Sequence, residues 1–191
     1  LVEHVQKILS KKVEPNERGE FRGTVRPVQP PALSSLKPIL ETWIHDRQTG
    51  VLIPEEVGEV LGYIGDAAFR KGDRRYLVAQ DVDGSVIGVI GYLPPTKSMQ
   101  QFVMTNRPVE MVNLYVAQEH RSGRGAGRAL FQGLEQQIRS EGYTEVIWNS
   151  GPRYLKTAWK FYNNLPKVVQ AGVAERLYGN NDAMVWRKVL V

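Results

Sequence analysis

The sequence has 191 residues, of which 42% are hydrophobic and 24% charged, the balance of an ordinary soluble globular domain. It holds no cysteine, which excludes disulfides, thiolate metal sites and a cysteine nucleophile, and it has no apolar run of the ~18–20 residues that a membrane span needs. The formal net charge of +5 suits an anionic ligand, but many cytosolic domains are as basic without a special partner.

Two further expectations come from this composition. A chain without cysteine fits a reducing compartment, and no signal-peptide pattern is present, so we expect a cytoplasmic protein that does not enter a membrane. The histidines have no metal-ligand companions, and we expect no metal site.

Residues 1–20 are the least domain-like part of the chain. Apolar residues in the first nine positions could line one helical face, and residues 11–20 are rich in charge and contain Pro15 and Gly19. We expect an N-terminal arm, helical or flexible, that packs on the body or on a second copy in a homodimer, or that is a processing remnant. Residues 21–191 are predicted to form a single domain.

The next part of the chain alternates between extended and helical patterns. Periodicity and turn residues predict a strand, two helices and a β-hairpin, at residues 20–28, 34–46, 54–70, and 75–80 with 85–93. A long connection, residues 94–108, follows the hairpin. A loop of that length in a compact domain is often functional, and disorder is the alternative.

Residues 109–141 contain the strongest pattern in the sequence. Apolar and β-branched residues favour a strand at residues 112–116. Three glycines follow in five positions, Gly123, Gly125 and Gly127, and residues 126–138 then carry apolar side chains at helical spacing.

Glycines between a strand and a helix allow backbone N–H groups to approach a phosphate closely. These groups and the helix dipole hold an anion, with a dipole contribution of roughly 0.3–1 kcal/mol. Arg121 and Arg124 can add charge-assisted hydrogen bonds, and His120 lies beside them. The pattern indicates an anion site for a phosphorylated cofactor, and a tight turn without a ligand is the alternative.

The C-terminal third predicts a strand at 144–149, a helix from Pro152 to Leu165, and two strands at 168–177 and 183–191. Leu155, Ala158, Trp159 and Tyr162 would form the apolar face of that helix. The order β, α, α, β, β, β, α, β, α, β, β predicts a mixed sheet with helices on both faces.

These elements together resemble the GNAT superfamily of acyl-CoA-dependent N-acetyltransferases. Arg124-Gly125-Ala126-Gly127-Arg128 is similar to the family's glycine turn, Ala158-Trp159-Lys160-Phe161-Tyr162 to its helix ending in tyrosine, and Val185-Trp186-Arg187-Lys188 to its last strand. The resemblance covers roughly residues 21–191. It implies an α/β (α+β mixed sheet) class and a sheet of about seven strands with helices on both faces.

The resemblance also implies where acetyl-CoA binds. Backbone amides from about Arg121 to Arg128 would cradle its pyrophosphate, and the strand edge near Leu114 to Val116 would pair with its pantetheine arm. The implied cofactor-binding residues are Leu114, Tyr115, Val116, Arg121, Ser122, Gly123, Arg124, Gly125, Ala126, Gly127 and Arg128.

Three features depart from the family pattern. The turn is one residue longer, counted from Val116, so Arg121 and Ser122 compete for the family's Gln or Arg position. Leu155 replaces a frequent asparagine, and residues 165–167 replace the usual Gly-Phe.

The resemblance implies two catalytic residues. Tyr162 would be the general acid that protonates the leaving thiolate, and packing in the apolar core is the alternative. Glu110 would be the general base that deprotonates the amine directly or through water, and a structural glutamate is the alternative. Asn113 and Tyr115 face away from Glu110 in a regular strand, and the family's usual bulge would reverse this.

The function implied is N-acetyl transfer from acetyl-CoA to an amine by direct attack in a ternary complex. The amine acceptor is unidentified, because no acidic cluster in the sequence marks a polycation. Its pocket is expected between the first two helices, residues 94–108 and the tail hairpin, which contain Trp43, Tyr63, Phe102 and Tyr178.

Two other functions are open from the sequence. One is a non-catalytic acyl-CoA-binding sensor or regulatory domain. The other, ranked last, is a nucleic-acid-binding module, since the aromatic residues are scattered and form no stacking platform.

Overall fold

A computed structural model of the protein describes residues 21–121, 123 and 125–190. The predicted N-terminal arm, residues 1–20, lies outside the described residues, as do Ser122 and Arg124 in the glycine turn. None of the helices in the described ranges is long and apolar enough to cross a membrane.

Within the described ranges, seven strands form one sheet, and four helices pack on it. The strands are β1 Thr24–Pro27, β2 Arg75–Gln80, β3 Val86–Leu93, β4 Pro108–Val116, β5 Glu145–Ser150, β6 Val169–Tyr178 and β7 Asn181–Val189. The helices are α1 Leu33–Glu41, α2 Pro54–Ala68, α3 Ala126–Ser140 and α4 Ala158–Asn163.

The strand order is β1-β2-β3-β4-β5-β7-β6, and every neighbouring pair is antiparallel except the parallel pair of β4 and β5. This confirms the predicted seven-stranded mixed sheet. The parallel pair needs a crossover connection, which α3 supplies. Gly142, at φ +79°, ends α3 in a left-handed cap whose N–H groups bond back to the last turn.

The helices cover both faces of the sheet. The side chain of Val116 faces α3, because a Cβ on Gly127 would lie 3.9 Å from its Cγ2. Tyr115, the preceding residue of β4, faces the other layer, where its ring packs 6.2 Å from Trp43 just after α1. Successive side chains of β4 therefore contact the helical layers on opposite faces of the sheet.

The helix predicted from Pro152 to Leu165 is shorter than expected. A 3-10 turn occupies Pro152–Tyr154. Thr157, at φ −117° and ψ −79°, departs from helical backbone angles, so α4 begins only at Ala158. The break rotates Leu155 out of the apolar face, and it is 47% exposed.

Residues 94–108 build a second, smaller core rather than a mobile loop. Met99 is fully buried in a cluster with Ile147 and Val185, and Phe102 packs against it. The loop thus covers the β5–β7–β6 half of the sheet.

Glu145 anchors this loop. Its fully buried carboxylate accepts hydrogen bonds from the N–H groups of Met104, at 2.9 Å, and Thr105, at 2.7 Å. The guanidinium of Arg187 lies 3.7 Å away and also donates to the carbonyl of Phe102. A buried carboxylate is tolerated here because amides and a cation compensate its charge.

We expect Glu145→Gln to destabilise the protein by about 1.5–3 kcal/mol, since an amide keeps one acceptor and loses the charge that these donors bind. Urea denaturation of the variant measures this free energy of unfolding. Glu175→Gln, on the exposed side of β6, removes the same charge and should change it little. Equal stabilities would contradict the anchoring role.

Candidate active site

The two central strands part where the candidate site begins. β4 and β5 are paired only at Pro108–Glu145, Val109–Val146 and Glu110–Ile147, although β4 continues to Val116 and β5 to Ser150. The unpaired edges form a cleft of about 2260 Å³. Pockets for drug-sized ligands hold about 300–1,000 Å³, so this cleft has room for a long cofactor and a second substrate.

A bulge in β4 contributes to the parting. Val89 and Gly91 of β3 pair with Tyr115 and Val112, so β4 carries one extra residue there, and Asn113 is left-handed at φ +53°. The register places Tyr115 on the same face as Glu110. The bulge thus reverses the expectation for a regular strand, in which Tyr115 would face away from Glu110.

Asn113 is fixed in this unusual conformation by a side-chain bond. Its Oδ1 accepts a hydrogen bond of 2.6 Å from the hydroxyl of Tyr76. Burial raises the pKa of the Tyr76 phenol to about 12, which keeps it a donor. Both Asn113 and Tyr115 line the cleft.

Glu110 is the last residue of β4 that pairs with β5, and it lines the cleft although it is only 4% exposed. Its Oε2 accepts a 2.8 Å hydrogen bond from the N–H of Thr96, and its Oε1 lies 3.5 Å from Nδ2 of Asn149. Burial raises the pKa of the Glu110 carboxyl above its ordinary value, and the hydrogen bonds of Thr96 oppose this shift. Such a carboxylate has the properties of a general base.

Tyr162 lies in α4 and lines the same cleft. Its ring packs 5.0 Å from Trp186 and 5.5 Å from Trp148. Burial raises the pKa of the phenol above its ordinary value of about 10, so the hydroxyl is protonated at neutral pH. Both roles foreseen for Tyr162, core residue and proton donor, are compatible with this position.

The glycine turn adopts the conformation that only glycine takes readily. Gly123 has φ +92° and Gly125 has φ +78°, and no atom lies within 4 Å of a Cβ added at Gly123. Gly125 directly precedes α3, and Gly127 and Arg128 in the first turn of α3 also line the cleft. The free N–H groups of a helix start therefore face the cleft, as an anion site requires.

Positive charge is concentrated around this turn. Basic side chains from three segments line the neighbouring part of the cleft: His120, Arg121, Arg128, Lys156 and Lys160. Together with the helix start, they favour a ligand that carries phosphate groups.

Arg121 also has a structural role that the sequence did not indicate. Its guanidinium lies 3.8 Å above the ring of Trp43, and its Nε donates to the carbonyl of Val116 at 3.0 Å. The indole Nε1 of Trp43 donates to the same carbonyl at 2.8 Å. Both lone pairs of that carbonyl are therefore used within the protein.

Three of the four aromatic residues in the segments expected around the acceptor line the cleft. Trp43, Tyr63 and Tyr178 line the cleft, whereas Phe102 packs against Gly172 in the second core. Of residues 94–108, all of which the structure describes, none lines the cleft. The expectation that this loop forms a wall of the pocket is wrong, because its apolar side chains cover the sheet instead.

A group of acidic residues in α2, which the sequence patterns did not predict, also borders the cleft. Glu55, Glu56 and Glu59 of α2 line the cleft, and Glu56 forms a two-point ion pair with Arg153 at 2.7 and 3.1 Å. Their spacing of one and four residues in a helix was the available signal. Acidic side chains of α2 therefore border the cleft together with basic ones, since Arg74 and Arg153 also line it.

Comparison with known proteins places the chain among acetyltransferases. Residues 53–165, more than half of the sequence, match the family model of the acetyltransferase (GNAT) family. A search of curated proteins found no match.

Several solved structures share the fold. A GNAT-family protein from Desulfovibrio desulfuricans is 19% identical, with a TM-score of 0.69 over 88% of this chain and 99% of its own. A GNAT-family acetyltransferase from Staphylococcus aureus is 12% identical, with a TM-score of 0.64 over 88% and 99%. An aminoglycoside 6'-N-acetyltransferase solved with coenzyme A is 18% identical, with a TM-score of 0.64 over 88% and 97%. At these identities, the likeness shows the fold alone.

Proposed function

The chain belongs to the GNAT acetyltransferase family, and on that premise we propose that it transfers an acetyl group from acetyl-CoA to an amine by direct attack in a ternary complex. The observation that carries the proposal is the position of Glu110. Its buried carboxylate lies where β4 and β5 part, in the same cleft as a basic glycine turn.

The residues of the turn fit a coenzyme A pyrophosphate. Gly123 leaves room for close approach, Gly125 has the left-handed conformation that precedes α3, and the first turn of α3 supplies unpaired N–H donors. Arg128, exposed at the first turn of α3, adds charge. Since the carbonyl of Val116 is already bonded to Trp43 and Arg121, we assign pantetheine pairing to the remaining backbone groups of residues 114–116.

Glu110 acts as the base in this proposal. An amine is mostly protonated at neutral pH and must lose a proton before its nitrogen can attack the thioester carbonyl. Oε2 of Glu110 is held by the amide of Thr96, which leaves Oε1 as the atom that accepts the proton. The raised pKa of the carboxyl makes it a stronger base than an exposed glutamate.

Tyr162 acts as the general acid, because it donates a proton whereas Glu110 accepts one. Its protonated phenol lies in the cleft and donates to the sulfur that leaves with coenzyme A. The two substrates are oriented by the walls of the cleft, which converts the reaction into an effectively intramolecular one. The acetyl carbon of the bound thioester is the position that the amine attacks.

We expect acetyl-CoA to stabilise the protein in a thermal-shift titration and Gly125→Ala to weaken its binding about tenfold. The added methyl group and the strain at φ +78° displace donors to phosphate. Gly84→Ala is the matched control, since Gly84 has φ +86° in a hairpin turn outside the cleft. It should lower the melting temperature without changing the affinity for acetyl-CoA. Absence of stabilisation at millimolar acetyl-CoA would overturn the proposal.

We expect Glu110→Gln to lower kcat/KM by about 10²–10⁴-fold with the acceptor amine, as loss of a general base does. Thiol release across an amine panel measures this change. In the wild type, activity should be lost as pH falls through the raised pKa of Glu110, and the variant should lack this acidic limb. Saturable acetyl-CoA binding without thiol release for any amine would instead favour a sensor domain.

We expect Tyr162→Phe to lower kcat by about 10²-fold or more while acetyl-CoA affinity is nearly unchanged, because the lost proton acts only on the leaving thiolate. A large decrease in kcat at an unchanged melting temperature would show that Tyr162 acts in catalysis and not only in core packing. Near-normal turnover in a folded variant would remove Tyr162 from the mechanism.

A further inference from the structure

Three residues from three strands form a continuous row at the edge of the cleft. Glu110 lies in β4, Asn149 in β5 and Tyr178 at the end of β6. The hydroxyl of Tyr178 donates to Oδ1 of Asn149 at 2.7 Å, and Nδ2 of Asn149 lies 3.5 Å from Oε1 of Glu110 and from Sδ of Met99. All three members of the row line the cleft.

The bond from Tyr178 decides which end of the Asn149 amide faces Glu110. With the hydroxyl donating to Oδ1, the N–H₂ group is turned towards Glu110 and lies 3.5 Å from its Oε1, at the outer limit of a hydrogen bond. If the amide turned over, its oxygen would face the carboxylate and repel it. The phenol is a donor at neutral pH because the ordinary pKa of tyrosine is about 10, and partial burial raises it further although the side chain is 52% exposed.

The ring of Tyr178 packs directly against the backbone of Gly151. A Cβ on Gly151 would lie 2.9 Å from Cδ2 of the Tyr178 ring, so the ring occupies the space that a side chain would need. Gly151 itself has ordinary backbone angles, φ −74° and ψ 169°, which any residue adopts. A glycine is therefore needed at position 151 to make room for the Tyr178 ring, not because of the backbone conformation.

We propose that Asn149, oriented by Tyr178, is a positioning residue that directs Oε1 of Glu110 into the cleft and stabilises its ionised form. The inference rests on the function proposed above, in which Glu110 is the base. The Thr96 amide holds Oε2 and the Asn149 amide faces Oε1, so the carboxylate has a defined orientation before the amine arrives.

Other charged groups face this row and are unchanged by the substitutions that test it. The positive charge of Arg74, just before β2, lowers the pKa of both Glu110 and Tyr76. The ion pair of Glu56 and Arg153 acts on Tyr178 from α2 and from the turn after β5, and Tyr154 acts on it as well. Their influence is common to the wild type and the variants.

Carbon-13 NMR titration of the Glu110 carboxyl in the free protein tests the proposal without requiring turnover. We expect Asn149→Ala to raise the pKa of Glu110 by about one unit, because the donor to the charged form is lost. Tyr178→Phe should raise it in the same direction, since the Asn149 amide is then free to turn. The acidic limb of kcat/KM should move to higher pH by the same amount in each variant.

Two further variants keep the test decisive. Gly151→Ala should reproduce the shift of Tyr178→Phe, since the new methyl group displaces the ring without touching either hydrogen-bonding group. Tyr92→Phe is the matched control, because it removes a tyrosine hydroxyl bonded to the carboxylate of Glu141 at 2.7 Å, outside the cleft. It should leave the pKa of Glu110 and the pH profile unchanged.

The outcomes separate this inference from the proposed function. An unshifted pKa of Glu110 in folded Asn149→Ala and Tyr178→Phe proteins, with an unmoved acidic limb, would overturn the positioning role while acetyl transfer stands. A shifted pKa in a protein that releases no thiol with any amine would support the orientation of Glu110 and contradict the acetyltransferase proposal.

Discussion

The whole arrangement depends on the short pairing of β4 with β5. Three residue pairs hold the two halves of the sheet together, and beyond Glu110 the strands separate. The extra residue at the bulge, where Asn113 is left-handed, accommodates this separation without breaking the pairing of β4 with β3. Unpaired strand edges normally require protection, and here they border a cleft with room for two substrates.

Glu110 connects this opening to the second core. One of its oxygens accepts the amide of Thr96 at the start of the loop 94–108, and Glu145 accepts amides near the end of that loop. Two buried carboxylates thus bracket the segment that covers β5, β7 and β6. The same side chain is a support of the fold and the proposed base, which ties the geometry of the site to the packing of the loop.

Charges of both signs line the cleft. Basic side chains and a helix start lie around the glycine turn, and the glutamates of α2 border the cleft together with Arg74 and Arg153. Arg121 binds the carbonyl of Val116 and stacks on Trp43, so its guanidinium is engaged within the protein beside the glycine turn.

The sequence by itself determined the order of elements, the family and the glycine turn, because helical and strand periodicity and the φ requirements of glycine are local properties. Through the family resemblance it also predicted catalytic roles for Glu110 and Tyr162, and both line the cleft. Only the tertiary structure decided which side chains share the cleft. The sequence left open which aromatic residues face the cleft, and Phe102 lies in another core; Asn149 was missed, since an asparagine at a strand end has no distinctive local pattern. Such contacts depend on strand register and on the parting of β4 from β5, which join residues far apart in the chain.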